Sequence, residues 1–71
     1  MLYFEKVIIV SGRYGLFIRD ESKNLFSIDL DFVDTSNIDL SLPVSIRCKF
    51  VPPSNPNGNL AGNLIVKDII Q

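Results

Sequence analysis

Short apolar runs rich in β-branched and aromatic residues alternate with clusters of turn residues along the whole chain, which is the pattern of strands, and no window of helical length carries a 3.6-residue stripe. The spacing predicts five strands. The first, from Leu2 to Val10, is apolar on both parities, with Phe4, Ile8 and Val10 on one and Tyr3, Val7 and Ile9 on the other. A strand covered on both faces, or strongly coiled in a small barrel, has this look. A turn at Ser11-Gly12-Arg13 leads into the second strand, Tyr14 to Asp20. The polar turn Glu21-Ser22-Lys23-Asn24 leads into the third, Leu25 to Leu30, so that three antiparallel strands form a meander.

From Asp31 to Pro43 the alternation lapses, and Asp34-Thr35-Ser36-Asn37 offers side chains that cap and turn the backbone. The fourth strand is the cleanest. Val44, Ile46, Cys48 and Phe50 alternate with Ser45, Arg47, Lys49 and Val51, predicting one buried face and one solvated, partly basic face. The stretch 52–59 is a loop, because prolines cannot donate to a ladder and Asn57-Gly58 favours a tight reversal. The fifth strand runs from Leu60 to Ile70. Five strands grouped as three, a long connection and two match the Greek-key barrel of the OB-fold. An SH3-like barrel also has five strands and stays open as the rival.

Length confines this to a single domain over residues 1–71, near the lower size at which a chain folds without disulfides or metal. The lone Cys48 has no partner for an internal disulfide and shares parity with core positions, pointing to a reducing, cytoplasmic setting and to a buried hydrophobe in place of a nucleophile. No signal peptide is expected, since Glu5 and Lys6 interrupt the opening run. No apolar stretch approaches the roughly 18 to 20 residues needed to cross a bilayer.

Seven Lys and Arg stand against eight Asp and Glu, giving a net charge of −1 and no bulk positive potential. The segment from Asn24 to Ile46 holds four Asp and no basic residue, so a basic patch requires the fold to gather Lys6, Arg13, Arg19, Lys23, Arg47, Lys49 and Lys67. The absence of histidine removes the commonest general base and zinc ligand. Asp29, Asp31, Asp34 and Asp39 lack the spacing of a calcium loop, and neither Gly12-x-x-Gly15 nor Asn57-Gly58 precedes a helix as a phosphate loop would. These features predict a non-catalytic protein without metal or cofactor.

The segments Gly12-Arg13-Tyr14-Gly15-Leu16-Phe17-Ile18 and Leu25-Phe26-Ser27-Ile28-Asp29, with Lys6-Val7 before them, Leu42-Pro43-Val44-Ser45-Ile46 and Ala61-Gly62-Asn63-Leu64 after, resemble the cold-shock domain family in order and spacing. The resemblance implies a barrel that binds single-stranded RNA or DNA on the face of its first three strands, where exposed aromatics stack on bases and basic side chains meet phosphates. It assigns Tyr14 and Phe26 to stacking positions, Phe17 as well if Leu16 is an inserted residue, and Arg13 and Lys6 to phosphate contacts.

The chain departs from that family at three platform positions: Ile9 stands for Trp, Ile28 for His and Asp29 for Phe. A stack contributes roughly 1 to 3 kcal/mol, so these losses imply weak, sequence-tolerant binding. The alternative is a protein-interaction or assembly module, in which Ile9, Leu16 and Ile28 point outward as an apolar patch for a protein partner or a second copy. The first alternative predicts Tyr14 and Phe26 exposed side by side.

Overall fold

The computed structural model describes residues 1–55 and 57–71; Pro56, within the expected 52–59 loop, lies outside the described residues. Six strands form one sheet: β1 (Leu2–Val7), β2 (Val10–Gly12), β3 (Gly15–Arg19), β4 (Leu25–Leu30), β5 (Val44–Val51) and β6 (Leu60–Ile70). They are ordered β1-β5-β6-β4-β3-β2, with β4 and β6 parallel and every other pair antiparallel. The protein is therefore all-β. Its ladder runs from one edge to the other without closing.

Those two edges are consecutive in the chain. The single first strand expected from Leu2 to Val10 divides: β1 pairs with β5 at one edge, β2 pairs with β3 at the other, and Ile8-Ile9 carries the chain between them. The cause is a bulge. Lys6 takes a φ of 55° and the β1–β5 register shifts between Phe4 and Val7. One extra residue reverses parity, so Leu2 and Phe4 share a face with Cys48 and Ile46, and beyond the bulge the inward positions are Val7 and Ile9. Apolarity on both parities was the trace of this switch. A second register shift, between Arg47 and Cys48 opposite β6, changes the inward parity from Val66 to Ile69. Two bulges bend the sheet around one core of Ile9, Ile18, Phe26, Ile28, Val44, Ile46, Cys48, Leu64, Val66 and Ile69.

The β2–β3 turn falls one residue later than expected. Ser11 and Gly12 are in β2, Gly12 pairs with Gly15, and Arg13-Tyr14 is a two-residue loop. Gly15 permits it, because its φ of 129° is costly for any residue with a Cβ. The β3–β4 turn is organised by Asp20. Its carboxylate accepts from the Asn24 backbone N–H at 2.8 Å and from Asn24 Nδ2 at 3.1 Å, while Lys23 N–H donates to the Asp20 carbonyl at 2.9 Å.

The connection 31–43 is held to β6 by Gln71. Its side-chain oxygen accepts from Asp39 N–H at 2.8 Å, and its amide nitrogen donates to the Asp39 carbonyl at 2.6 Å. Among the described residues no helix is long and apolar enough to cross a membrane.

Candidate functional site

The registers define an outer face as firmly as they define the core. Val10, Phe17, Ser27, Asn63 and Val51 form one cross-strand row over β2, β3, β4, β6 and β5. Directly paired residues share a face, so Phe17 points outward while Leu16 and Ile18 point inward, packed on or within the core. Phe17, and not Leu16, is therefore the outward residue of the two.

Phe17 is fixed by a missing side chain. A Cβ on Gly12 would stand 2.9 Å from Phe17 Cε2 and 3.1 Å from Cδ2, so the ring lies over the glycine backbone. At the hairpin tip Tyr14 is 86% exposed, and the Arg13 guanidinium carbon is 5.8 Å from its ring centroid. A cation over an exposed ring contributes about 0.5 to 1 kcal/mol and orients both groups.

Phe26 requires a correction. It is 8% exposed, a core residue opposite Ile18, with its ring centroid 5.7 Å from that of Phe4 and 6.4 Å from that of Phe50. It does not lie beside Tyr14. The alternation Phe26-Ser27-Ile28-Asp29 allows one parity inside, and burial of two large apolar groups outweighs that of Ser27 and Asp29. The same parity corrects the outward apolar patch: Ile9 and Ile28 are each 6% exposed and Leu16 packs against the core.

The basic residues divide between the two ends of β3. Arg13 is at the hairpin. Lys6, exposed on its bulge with its N–H donating to Ser45 Oγ at 3.4 Å, lines a shallow groove of about 420 Å³ with Ile8, Val10 and Arg19. Glu5, Asp20 and Glu21 share that groove. Arg19 donates from Nη1 to the Lys23 carbonyl at 3.0 Å, which ties it to the turn. The Asn24 backbone N–H, opposed by slight desolvation and aided by the Asn24 side chain and Ser22 N–H, holds the Asp20 carboxyl below its ordinary range.

Sequence reasoning missed Phe32. It is fully exposed with a φ of 56°, a conformation that costs a non-glycine residue about 1 to 3 kcal/mol. It follows Asp31, whose N–H donates to the Val66 carbonyl at 3.0 Å and whose carboxylate pairs with Lys67. Extending the β3–β4 register from Leu16 opposite Ile28 brings Tyr14 level with Leu30, so Tyr14 and Phe32 belong to the same end of the sheet. An aromatic placed just where alternation ends, in an otherwise acidic connection, was the available signal.

The grouping of Ser27 and Asn63 with Asp29, which the sequence placed on the platform singly, was missed as well. Ser27 Oγ donates to Asn63 Oδ1 at 2.7 Å, and Asn63 Nδ2 donates to Asp29 Oδ2 at 2.9 Å. Beside them a groove of about 420 Å³ opens, with Ser27, Val51, Pro52, Leu60, Gly62 and Asn63 in its walls.

The remaining acidic side chains serve the backbone. Asp34 accepts from Ser36 N–H at 2.9 Å and Asp39 from the Ser41 hydroxyl at 2.6 Å, and these bonds lower both carboxyls. Among the described residues no three potential metal ligands converge. Burial pushes the Cys48 thiol up, away from thiolate chemistry. No family model, curated protein or solved structure matches the chain.

Proposed function

We propose that this chain is a non-catalytic module that binds single-stranded RNA or DNA on the outer face of β2, β3 and β4, built on an OB-type barrel of the cold-shock kind. The topology supports the barrel. If β1 and β2 are taken as one bulged strand, the order becomes cyclic, with a meander, a long connection, and a parallel pairing between β4 and β6. That cyclic order matches the Greek-key arrangement of an OB-fold and supports this reading.

The observation that carries the function is the outward Phe17, seated on Gly12, on the same hairpin as the exposed Arg13–Tyr14 pair. Bases stack on sequence-tolerant aromatic platforms of this kind, with Arg and Lys following the phosphates. Phe32 adds a second exposed ring at the same end, and Phe17 is outward but half-buried. Three stacks at about 1 to 3 kcal/mol each, less the cost of ordering a flexible strand, give a weak binder. The lone, buried Cys48 fits a cytoplasmic, reducing setting.

Fluorescence anisotropy of labelled single-stranded RNA and DNA tests this at low and moderate salt, with a Tyr14→Ala, Phe17→Ala double variant alongside. Salt-sensitive binding that the variant loses supports the proposal. No binding at low salt overturns it.

A second reading, a protein-assembly module, is favoured by one feature. The free edges β1 and β2 and the link between them expose Leu2, Tyr3, Ile8 and Val10. A concentration-dependent dimer in sedimentation equilibrium, with no response to oligonucleotides, would establish it.

A further inference from the structure

We infer that Asp29 and Asn63 form a base-reading subsite selecting nucleobases with an exocyclic amino group, namely cytosine, adenine and guanine, over uracil and thymine. The inference rests on the nucleic-acid reading above and adds specificity to it. A carboxylate accepts only, so it draws the Asn63 amino group towards itself, and the Ser27 hydroxyl then meets Oδ1. Flipping the amide would set Oδ1 against the carboxylate and break that bond, whereas the Ser27 hydroxyl can accept as readily as donate. The carboxylate therefore fixes the orientation of the amide.

After these bonds are made, Asn63 retains one lone pair on Oδ1 and one hydrogen on Nδ2, while Asp29 retains one oxygen entirely and further lone-pair sites on the other. The array is rich in acceptors. Its complement is an edge that donates, such as cytosine N4, adenine N6, or guanine N1 and N2. Uracil and thymine carry carbonyls on both sides of a single N–H and would place an oxygen against the carboxylate.

Position and charge agree with this assignment. Ser27 is directly opposite Phe17 and next to Asn63, so the subsite begins about two strand spacings, roughly 10 Å, from the stacking ring. The groove of about 420 Å³ on the far side of Asn63 from Asp29, walled by Val51, Pro52, Leu60 and Gly62, can receive the next base along the strand. Among the described residues the one ion pair is Lys67–Asp31, and the cation along the row from Asp29 through Ile65 is Lys49, two strands away. Lys67, diagonal to Asp29 across β6, pairs with Asp31, and an exposed carboxylate without an ion pair of its own repels phosphate. On a strand-binding face it favours binding only by accepting from a base.

The test is competition anisotropy with oligo(dC), oligo(dA) and oligo(dT) of equal length, on the wild type and on Asp29→Asn. The exposed position keeps the variant folded, which a thermal melt verifies. Oligo(dC) and oligo(dA) are expected to bind about five-fold or more tightly than oligo(dT). In the variant the carboxamide offers a donor to the carbonyl edge, so the ratio collapses to about one or inverts. Removing a negative charge also strengthens binding to every oligomer, and the ratio is insensitive to that uniform gain. Equal or tighter binding of oligo(dT) by the wild type, or an unchanged ratio in the variant, overturns the subsite and leaves the binding function standing. Failure of all three oligomers and of their RNA counterparts at low salt removes both.

Discussion

Phe17 Cε2 lies 2.9 Å from where a Cβ of residue 12 would be, so Gly12 is the seat of the only outward aromatic within β2, β3 and β4. Gly12→Ala keeps an accessible backbone and displaces the ring. The expected result is a loss of stability of about 1 kcal/mol, together with a fall in oligonucleotide affinity like that of Phe17→Ala. Paired thermal melts and anisotropy titrations check both parts.

Tyr14 and Phe32 are exposed, and their removal is expected to separate binding from folding. Tyr14→Ala should lower affinity by about five-fold or more while changing stability by less than about 0.5 kcal/mol. Phe32→Asn should weaken binding and raise stability by about 0.5 to 1 kcal/mol, because asparagine tolerates the positive φ. Urea denaturation measures the gain. A loss of stability in Phe32→Asn would show that the ring packs on something it is not seen to touch.

Phe26→Ala is expected to be a folding variant. Deleting a core ring that meets the half-buried Phe4 and the more exposed Phe50 costs about 3 to 5 kcal/mol, most of the stability of a domain this small. Far-ultraviolet circular dichroism at 25 °C should show a largely unfolded chain, whatever oligonucleotide is present.

The Asp20 turn sets an acid limit. Its carboxyl is depressed in the folded protein, so its stabilising effect is fully present above the unfolded value of about 3.9 and is lost as pH falls through the lower folded value. Asp20→Asn should be less stable than the wild type at neutral pH, and the difference should shrink as the pH falls through the depressed folded value of the carboxyl. Thermal melts across that range read the convergence.

Strand content was legible because alternation is local. Val44, Ile46 and Cys48 are buried, and β4, β5 and β6 have the bounds that the pattern predicted. Arg13 was legible as exposed because it was read in a turn, whereas Tyr14 was read as the start of a strand and its exposure was expected only from the resemblance. Phe26 was misplaced because a motif was allowed to outweigh parity, although Phe26, Ile28 and Leu30 already traced the inward face of β4.

The sequence by itself determined an all-β chain, the meander, the long connection and the burial of Val44, Ile46 and Cys48 in β5, since each follows from a period of two and from turn chemistry; Phe50, expected on the same buried face, is 39% exposed at the strand's end. Only the tertiary structure decided the rest. The bulge at Lys6 sends one stretch of chain to both edges of the sheet, and parallel pairing of β4 with β6 sets Ser27 beside Asn63. Both depend on contacts between residues 36 or more positions apart. No local pattern of apolar and polar residues encodes which distant strands will lie side by side, because register is set by mutual burial around the finished core.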